Sequence, residues 1–281
     1  MIDLFAVQLQ RLLPHHLLSR LAGGIADCSF RPLKNLLIRS FVQIYGVDLS
    51  EAARTFPEEY ATFNDFFTRE LREGVRPLPE DRKAIASPVD GRISQAGELL
   101  SGRWLIQAKG IDYPVEELLA DRDWAAAFRG GCFVTLYLSP RDYHRVHMPV
   151  PGRLVEMVHV PGRLFGVGPW TVENLPRLFT RNERVIALFE TEAGPMALVM
   201  VGALIVGSIA TVWHGVVTPP SGRSVGRWSY AEGPRFERGA EVGRFRVGGS
   251  TVILLFAPDR VSLTRGEGEP VRMGQELGRW R

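Results

Sequence analysis

Two cysteines in 281 residues, Cys28 and Cys132, form neither a CxxC pair nor a metal-binding spacing. A disulfide framework is thereby excluded, and the chain reads as made for a reducing compartment. Cys132 opens the apolar run Cys132–Leu138, where it serves as a small buried hydrophobe. The start of the chain has Asp3 and no basic n-region, which argues against a cleaved signal peptide. Excess charge is scarce too: the net value is +3 and the pI about 9.1, with no footprint for nucleic acid. Repeats and low-complexity stretches are missing. Only Met196–Trp213 approaches the length of a charge-free membrane span, and Gly202, Gly207, Ser208 and Thr211 interrupt it. Its Val and Ile content predicts two buried strands instead. Ser250 does not sit in a Gly-x-Ser-x-Gly elbow, which argues against an ordinary α/β-hydrolase.

What is present divides the chain in two. Hydrophobic residues make up 45% and charged residues 23%, enough for a large core with a smaller appended segment. Residues 1 to about 45 show helical spacing in Ile2, Phe5, Leu9, Leu12 and Leu13, and again in Leu33, Leu37, Phe41 and Ile44, widened by Leu36. Pro14 and Gly23-Gly24 punctuate the segment. Arg11, Arg20, Arg31, Lys34 and Arg39 oppose only Asp3 and Asp27. Such a basic amphipathic segment suits an anionic membrane surface, and it equally suits a helical pair packed on the rest of the protein. Leu49-Ser50-Glu51 opens another helical stretch, and Asn64-Asp65 marks a helix start amid the core aromatics Phe63, Phe66 and Phe67. Prolines around Val75–Pro79 break the pattern. The expected organisation is helical over 1–80 and β-rich over 81–281.

From about residue 85 the texture is short apolar runs between glycines and prolines: Gly91–Ser94, Phe133–Leu138, Leu154–Val160, Val185–Phe189 and Val252–Phe256. That predicts an α+β chain whose larger part is a barrel- or sandwich-like β domain. One helix is expected inside it near Pro114–Ala120, with Glu116 and Glu117 in its first turn.

Three clusters could carry chemistry. Asp90 precedes Gly91, a common turn pair. His144 and His147 lie in Ser139–Pro149, just after an apolar strand. Two histidines at this spacing could bind a metal, but no third ligand at matching spacing accompanies them, and no metal is expected. The third cluster is Val247-Gly248-Gly249-Ser250-Thr251, which runs into the strand Val252–Phe256. Asp, His and Ser are the types needed for an activated nucleophile. A serine hydroxyl beside a glycine carbonyl can attack that carbonyl unhindered, so the target of Ser250 can be its own backbone. A metal-dependent hydrolase and a ligand-binding β module, with Gly-Gly-Ser-Thr as a mere turn, remain the rival readings.

Along nearly its whole length the chain resembles the bacterial phosphatidylserine decarboxylase proenzymes. The resemblance is densest in Tyr137–Pro149 and continues in Thr62–Phe67, Val160-Pro161-Gly162, Arg181–Arg184 and Val201–Ile209. The family usually has Leu-Gly-Ser-Thr at its cleavage motif, and here Gly248 replaces the leucine. The resemblance implies self-cleavage between Gly249 and Ser250 into a β chain (1–249) and an α chain (250–281) that stay associated. It implies that Asp90 orients His147, that His147 deprotonates Ser250, and that Ser250 becomes a covalent pyruvoyl group. That group forms a Schiff base with phosphatidylserine, CO2 leaves, and phosphatidylethanolamine is released. His144 is the expected proton donor, and Tyr137 and Phe165 are expected along the substrate path. A lipid substrate favours peripheral binding of the basic segment to an anionic membrane, at the cytoplasmic face of the cell membrane. A homo-oligomer is left open, and no nucleic-acid partner is expected.

Overall fold

The short apolar runs are realised as strands in the computed structural model, which describes residues 10, 14–204, 208–218, 224–248 and 250–281. In chain order the strands that build the centre are β1 (Gly91–Glu98), β2 (Cys132–Leu138), β3 (Arg145–His147), β4 (Gly152–Val160), β5 (Arg184–Thr191), β6 (Gly194–Val201), β7 (Ser208–Thr211), β8 (Gly226–Ser229), β9 (Glu241–Arg246) and β10 (Ser250–Phe256). The large sheet runs β8–β4–β5–β6–β10–β2–β1, with Pro270–Val271 paired to β1 and Arg235–Phe236 to β4. A second sheet runs from Gly215–Val216 through β7 and β9 to β3. A third joins Ala84–Ala86, Glu276–Trp280 and Val261–Leu263. Among the described residues no sheet closes on itself, so the β domain is sandwich-like rather than a barrel. Met196–Trp213 supplies β6 and β7, the two strands expected there.

β10 lies deepest. It pairs antiparallel with β2 on one side and β6 on the other, and all seven of its residues are buried. A strand covered on both faces needs no polar alternation, which is why Thr251–Phe256 reads as a nearly unbroken apolar run. The expected internal helix is present at Val115–Leu119, with Glu116 and Glu117 in its first turn.

The N-terminal region forms helices α1 (His15–Ala26) and α2 (Arg31–Tyr45). Pro32 in the first turn and Gly46 at φ 64° bracket α2. The stripe Ile2, Phe5, Leu9, Leu12, Leu13 lies outside the described residues. The second expected stripe divides. Leu37 and Phe41 pack inward with Ile38, whereas Leu33, Leu36 and Ile44 are 38%, 62% and 74% exposed. The cause is Lys34: its side chain is buried and its Nζ donates to the Pro57 carbonyl at 2.6 Å, so the inward face centres on Lys34 and Ile38. No helix among the described residues is long and apolar enough to cross a membrane.

The stretch from Leu49 does not form the expected helix. The Asp48 carboxylate captures the Ser50 amide at 2.8 Å, a turn follows, and Ala52 bridges to Leu71. The next helix, α3 (Phe63–Phe67), is capped by Thr62, whose hydroxyl accepts from the Asp65 amide at 3.1 Å. Asn64 and Asp65 therefore sit inside its first turn. Phe63, Phe66 and Phe67 are buried as expected. With Ile38 and Tyr60 they make a second, smaller core, and Val247 packs against it. The helical region thus reaches the segment that leads into β10.

Candidate active site

The serine at position 250 is the first residue of β10. Its register partner is Leu138, the last residue of β2, and it is fully buried. Its hydroxyl has no hydrogen-bond partner. A buried, unpaired hydroxyl costs roughly 1–3 kcal/mol, so it is not retained for stability. Gly249, the other half of the expected cleavage site, lies outside the described residues. The two residues before it take positive φ: Val247 at 54° and Gly248 at 104°. For a β-branched residue this is strained backbone, with a cost on the order of 1–3 kcal/mol. Gly248 occupies a conformation that a leucine would adopt only with strain, so the departure from the family motif matches the local backbone.

The histidines are placed by a tight turn at the end of β2. Asp142 accepts from the Ser139 amide at 2.7 Å and from the Ser139 hydroxyl at 2.8 Å, and its own amide donates to the Ser139 carbonyl at 3.0 Å. This turn sends the chain into β3. Arg145 anchors β3 to the helical region, donating to the Thr68 carbonyl at 2.8 Å, to Glu70 at 3.1 Å and to Glu241 at 2.9 Å.

His147 has both ring nitrogens engaged. Nδ1 donates to the Gly239 carbonyl at 2.8 Å, since a carbonyl can only accept. Nε2 is then the lone pair of the neutral ring, and it accepts from the Tyr143 hydroxyl at 2.9 Å. Burial lowers the His147 pKa, while the Gly239 carbonyl and the charges of Glu241 and Asp90 pull it back up. The ring is thus held neutral in one tautomer, the form a general base needs.

Asp90 does not make that hydrogen bond. Its two oxygens accept from Arg76 at 3.0 and 2.6 Å, and Oδ1 also accepts from the Met273 amide at 2.7 Å. Arg76 in turn holds Glu51 at 2.7 Å. The orienting contact on His147 comes from Gly239, and Asp90 acts on the ring through its charge.

His144 is stacked on Phe67, with ring centroids 4.0 Å apart and planes at 18°. Its Nε2 donates to the Pro140 carbonyl at 3.3 Å, and its buried Nδ1 has no partner. Burial, with the nearby Arg69 charge adding to it, lowers its pKa to about 3. With residue 250 still a serine, His144 is therefore held as the neutral ring. Phe67 comes from the helical region, so that region forms one wall of the site.

Sequence reasoning passed over Arg76, Tyr143 and Phe67. Tyr143 lay within the matching block and could have been found from its position between the two histidines. Arg76 and Phe67 are distant in sequence, and nothing local signals their roles. Tyr137 borders two cavities. Phe165 is buried, edge-on to His15 at 5.1 Å. The Arg181–Arg184 block holds structure together: Glu183 and His159 form a buried pair at 3.0 Å, and Asn182 bonds to the backbone of Phe165 and Gly202. Among the described residues no three His, Cys, Asp or Glu side chains come together in a way that could hold a metal.

Comparison with known proteins places these residues in a family. A family model described as phosphatidylserine decarboxylase matches residues 63–279, and a second, described as PSD, matches residues 5–46. A phosphatidylserine decarboxylase proenzyme from Pseudomonas fluorescens is 55% identical over 276 residues, covering 96% of this chain and 95% of that protein. Those from Azotobacter vinelandii and Shewanella pealeana are 54% and 51% identical, covering 96% and 99% of both chains. With a match of this extent spanning the strained turn, the buried serine and both histidines, the chain belongs to the phosphatidylserine decarboxylase family.

Proposed function

We propose that this chain is a self-processing phosphatidylserine decarboxylase that makes phosphatidylethanolamine with a pyruvoyl group derived from Ser250. The observation that carries the reading is the Ser250 hydroxyl, buried and unpaired at the start of a rigid central strand, directly after a strained turn. A nucleophile with no hydrogen bond to break, next to backbone that loses strain on cleavage, favours attack on the Gly249 carbonyl. His147 takes the proton. Its Nε2, the lone pair of the neutral ring, is engaged by the Tyr143 hydroxyl at 2.9 Å before the reaction. The Asp90 charge then favours the imidazolium that results. Arg76 holds Asp90 in place through two hydrogen bonds.

The residues present fit a pyruvoyl group at position 250: it is small, and it needs an aperture to the amine of a substrate rather than a cradle of its own. Such a group supplies a ketone that condenses with the substrate amine and draws off electrons as CO2 leaves. The chain's own part is to exclude water and to move protons. Phe67 and the sheet seal His144 from solvent, and His144 is the residue assigned to the substrate α-carbon once processing has opened the site.

Access to a lipid comes from α1 and α2. Leu17, Leu21, Ile25, Leu33, Leu36 and Ile44 are exposed there, with Arg20, Arg31 and Arg39 exposed beside them. Large exposed apolar side chains rimmed by cations fit a bilayer surface carrying anionic lipid. The reading places the protein peripherally on the cytoplasmic face of the cell membrane.

Intact mass with and without borohydride tests the chemistry. Two fragments are expected, divided before residue 250, with the smaller gaining mass on reduction, and CO2 release from phosphatidylserine should accompany them. The Ser250→Ala variant should stay a single chain and release none. A single unbroken wild-type chain after long incubation defeats the proposal.

A further inference from the structure

Arg69 is a buried cation without a matching anion. It is 3% exposed, directly after α3 and beside the candidate active site. Its Nη2 donates to the Arg141 and Asp142 carbonyls at 3.0 and 3.4 Å, while Nε and Nη1 have no acceptor from the protein. The neighbouring carboxylates are committed elsewhere: Asp90 to Arg76 and the Met273 amide, Asp142 to Ser139. Phe66 lies against the guanidinium, 5.6 Å from the ring centre. A guanidinium buried with two idle donors is expensive unless it meets an anion in use.

Arg69 also lines a cavity of about 510 Å³ whose wall includes Arg76, Asp90, Tyr137, Asp142 and Tyr143. The cavity therefore adjoins the Tyr143–His147 pair. Its volume accommodates a glycerophospho headgroup but not acyl chains.

We propose that Arg69 is the specificity residue that receives the phosphodiester of the lipid headgroup in this cavity. The inference rests on the reading of the chain as a phosphatidylserine decarboxylase and adds where the headgroup is held. The phosphodiester is the anion chosen by the chemistry. A substrate carboxylate loses its charge as CO2 departs, so an arginine upon it would stabilise the ground state more than the transition state. The phosphodiester keeps its charge throughout. Holding it binds ground state and transition state alike, which acts on KM rather than kcat. The planar fork of arginine suits the paired oxygens of a phosphate.

The test uses processed wild-type enzyme with short-chain phosphatidylserine and soluble competitors. Glycerophosphoethanolamine should compete at least tenfold better than ethanolamine and better than inorganic phosphate. Arg69→Met should raise KM about tenfold to a hundredfold, the loss expected for a hydrogen bond to a charged group, with the change falling on KM and with cleavage into two fragments retained. Arg69→Lys should recover part of the loss. A merely structural strap on the 139–142 turn predicts loss of processing or folding instead, with no preference among competitors. Equal competition by glycerophosphoethanolamine and ethanolamine overturns the proposal, and so does an unchanged KM in cleaved Arg69→Met. Inorganic phosphate competing as well as the diester overturns it too, because the site would then take a free anion. Should the wild type release no CO2, the functional reading fails by itself. Calorimetric titration of the wild type and Arg69→Met with glycerophosphoethanolamine still decides the anion site: binding by the wild type alone supports it, and equal heats or none overturn it.

Discussion

The Arg76–Asp90 pair is where the fold and the proposed chemistry can be separated by measurement. The Arg76 side chain is 7% exposed and that of Asp90 13%, and two hydrogen bonds of 3.0 and 2.6 Å join them. Removing one partner of a buried pair leaves an uncompensated charge and costs about 3–5 kcal/mol. In Arg76→Met, Asp90 keeps the Met273 amide, which places the loss near the lower end, about 3 kcal/mol. Asp90→Asn keeps the shape and leaves Arg76 its contact with Glu51, so a smaller loss, about 1–2 kcal/mol, is expected. The double variant has no stranded carboxylate and should lose less than the sum, with a coupling of about 2 kcal/mol. Urea unfolding in the uncleavable Ser250→Ala background measures all four forms without interference from processing. A loss below about 1 kcal/mol in Arg76→Met, or strictly additive single changes, would refute the argument that Asp90 is held by Arg76. The same substitutions in the Ser250 protein should slow cleavage, read as the half-time for two fragments to appear on a gel.

Other outcomes follow from the same structure. His144 and His147 both have pKa values below the usual imidazole value, His144 at about 3. The unfolded chain therefore binds more protons than the folded one as pH drops below about 6.5, and stability falls there by as much as about 1.4 kcal/mol per pH unit for His144 alone. His144→Phe in the Ser250→Ala background should flatten that slope in pH-dependent urea titrations, and an unchanged slope would contradict the burial argument. Gly248→Ala forces a side chain onto φ 104° and should destabilise the uncleaved precursor by about 1–3 kcal/mol; no loss would mean that the turn relaxes freely. Replacing Leu21 and Ile25 with Asp should reduce sedimentation with phosphatidylglycerol vesicles while leaving cleavage intact, and undiminished sedimentation would remove this face from membrane contact.

How much could be seen beforehand depended on the range of the interaction. β10 and β2 were legible because strands buried on both faces leave a continuous apolar run. The helical start was legible by spacing, yet its inward face was not, because the buried Lys34 looks like a solvent residue until Pro57 folds over it. The helix expected at Leu49 failed because Asp48 competes for the backbone, a local effect that apolar spacing does not register. Asp90, Ser250, His144 and His147 were found by residue type and by resemblance. Their partners were not: Gly239, Arg76 and Phe67 approach from separate parts of the chain, and a backbone carbonyl such as that of Gly239 has no side-chain signature at all.

β10 is clamped between β2 and β6 from Thr251 to Phe256. A break just before it would free one chain end and loosen nothing else. The consequence appears only when the protein is taken apart. An uncut chain refolds as one molecule at any dilution, whereas a cut one must bring its central strand back from solution, a second-order event that slows with dilution. Cutting after folding would therefore turn a reversible equilibrium into a one-way history: a cleaved protein would keep a shape that its separated pieces regain only by finding each other.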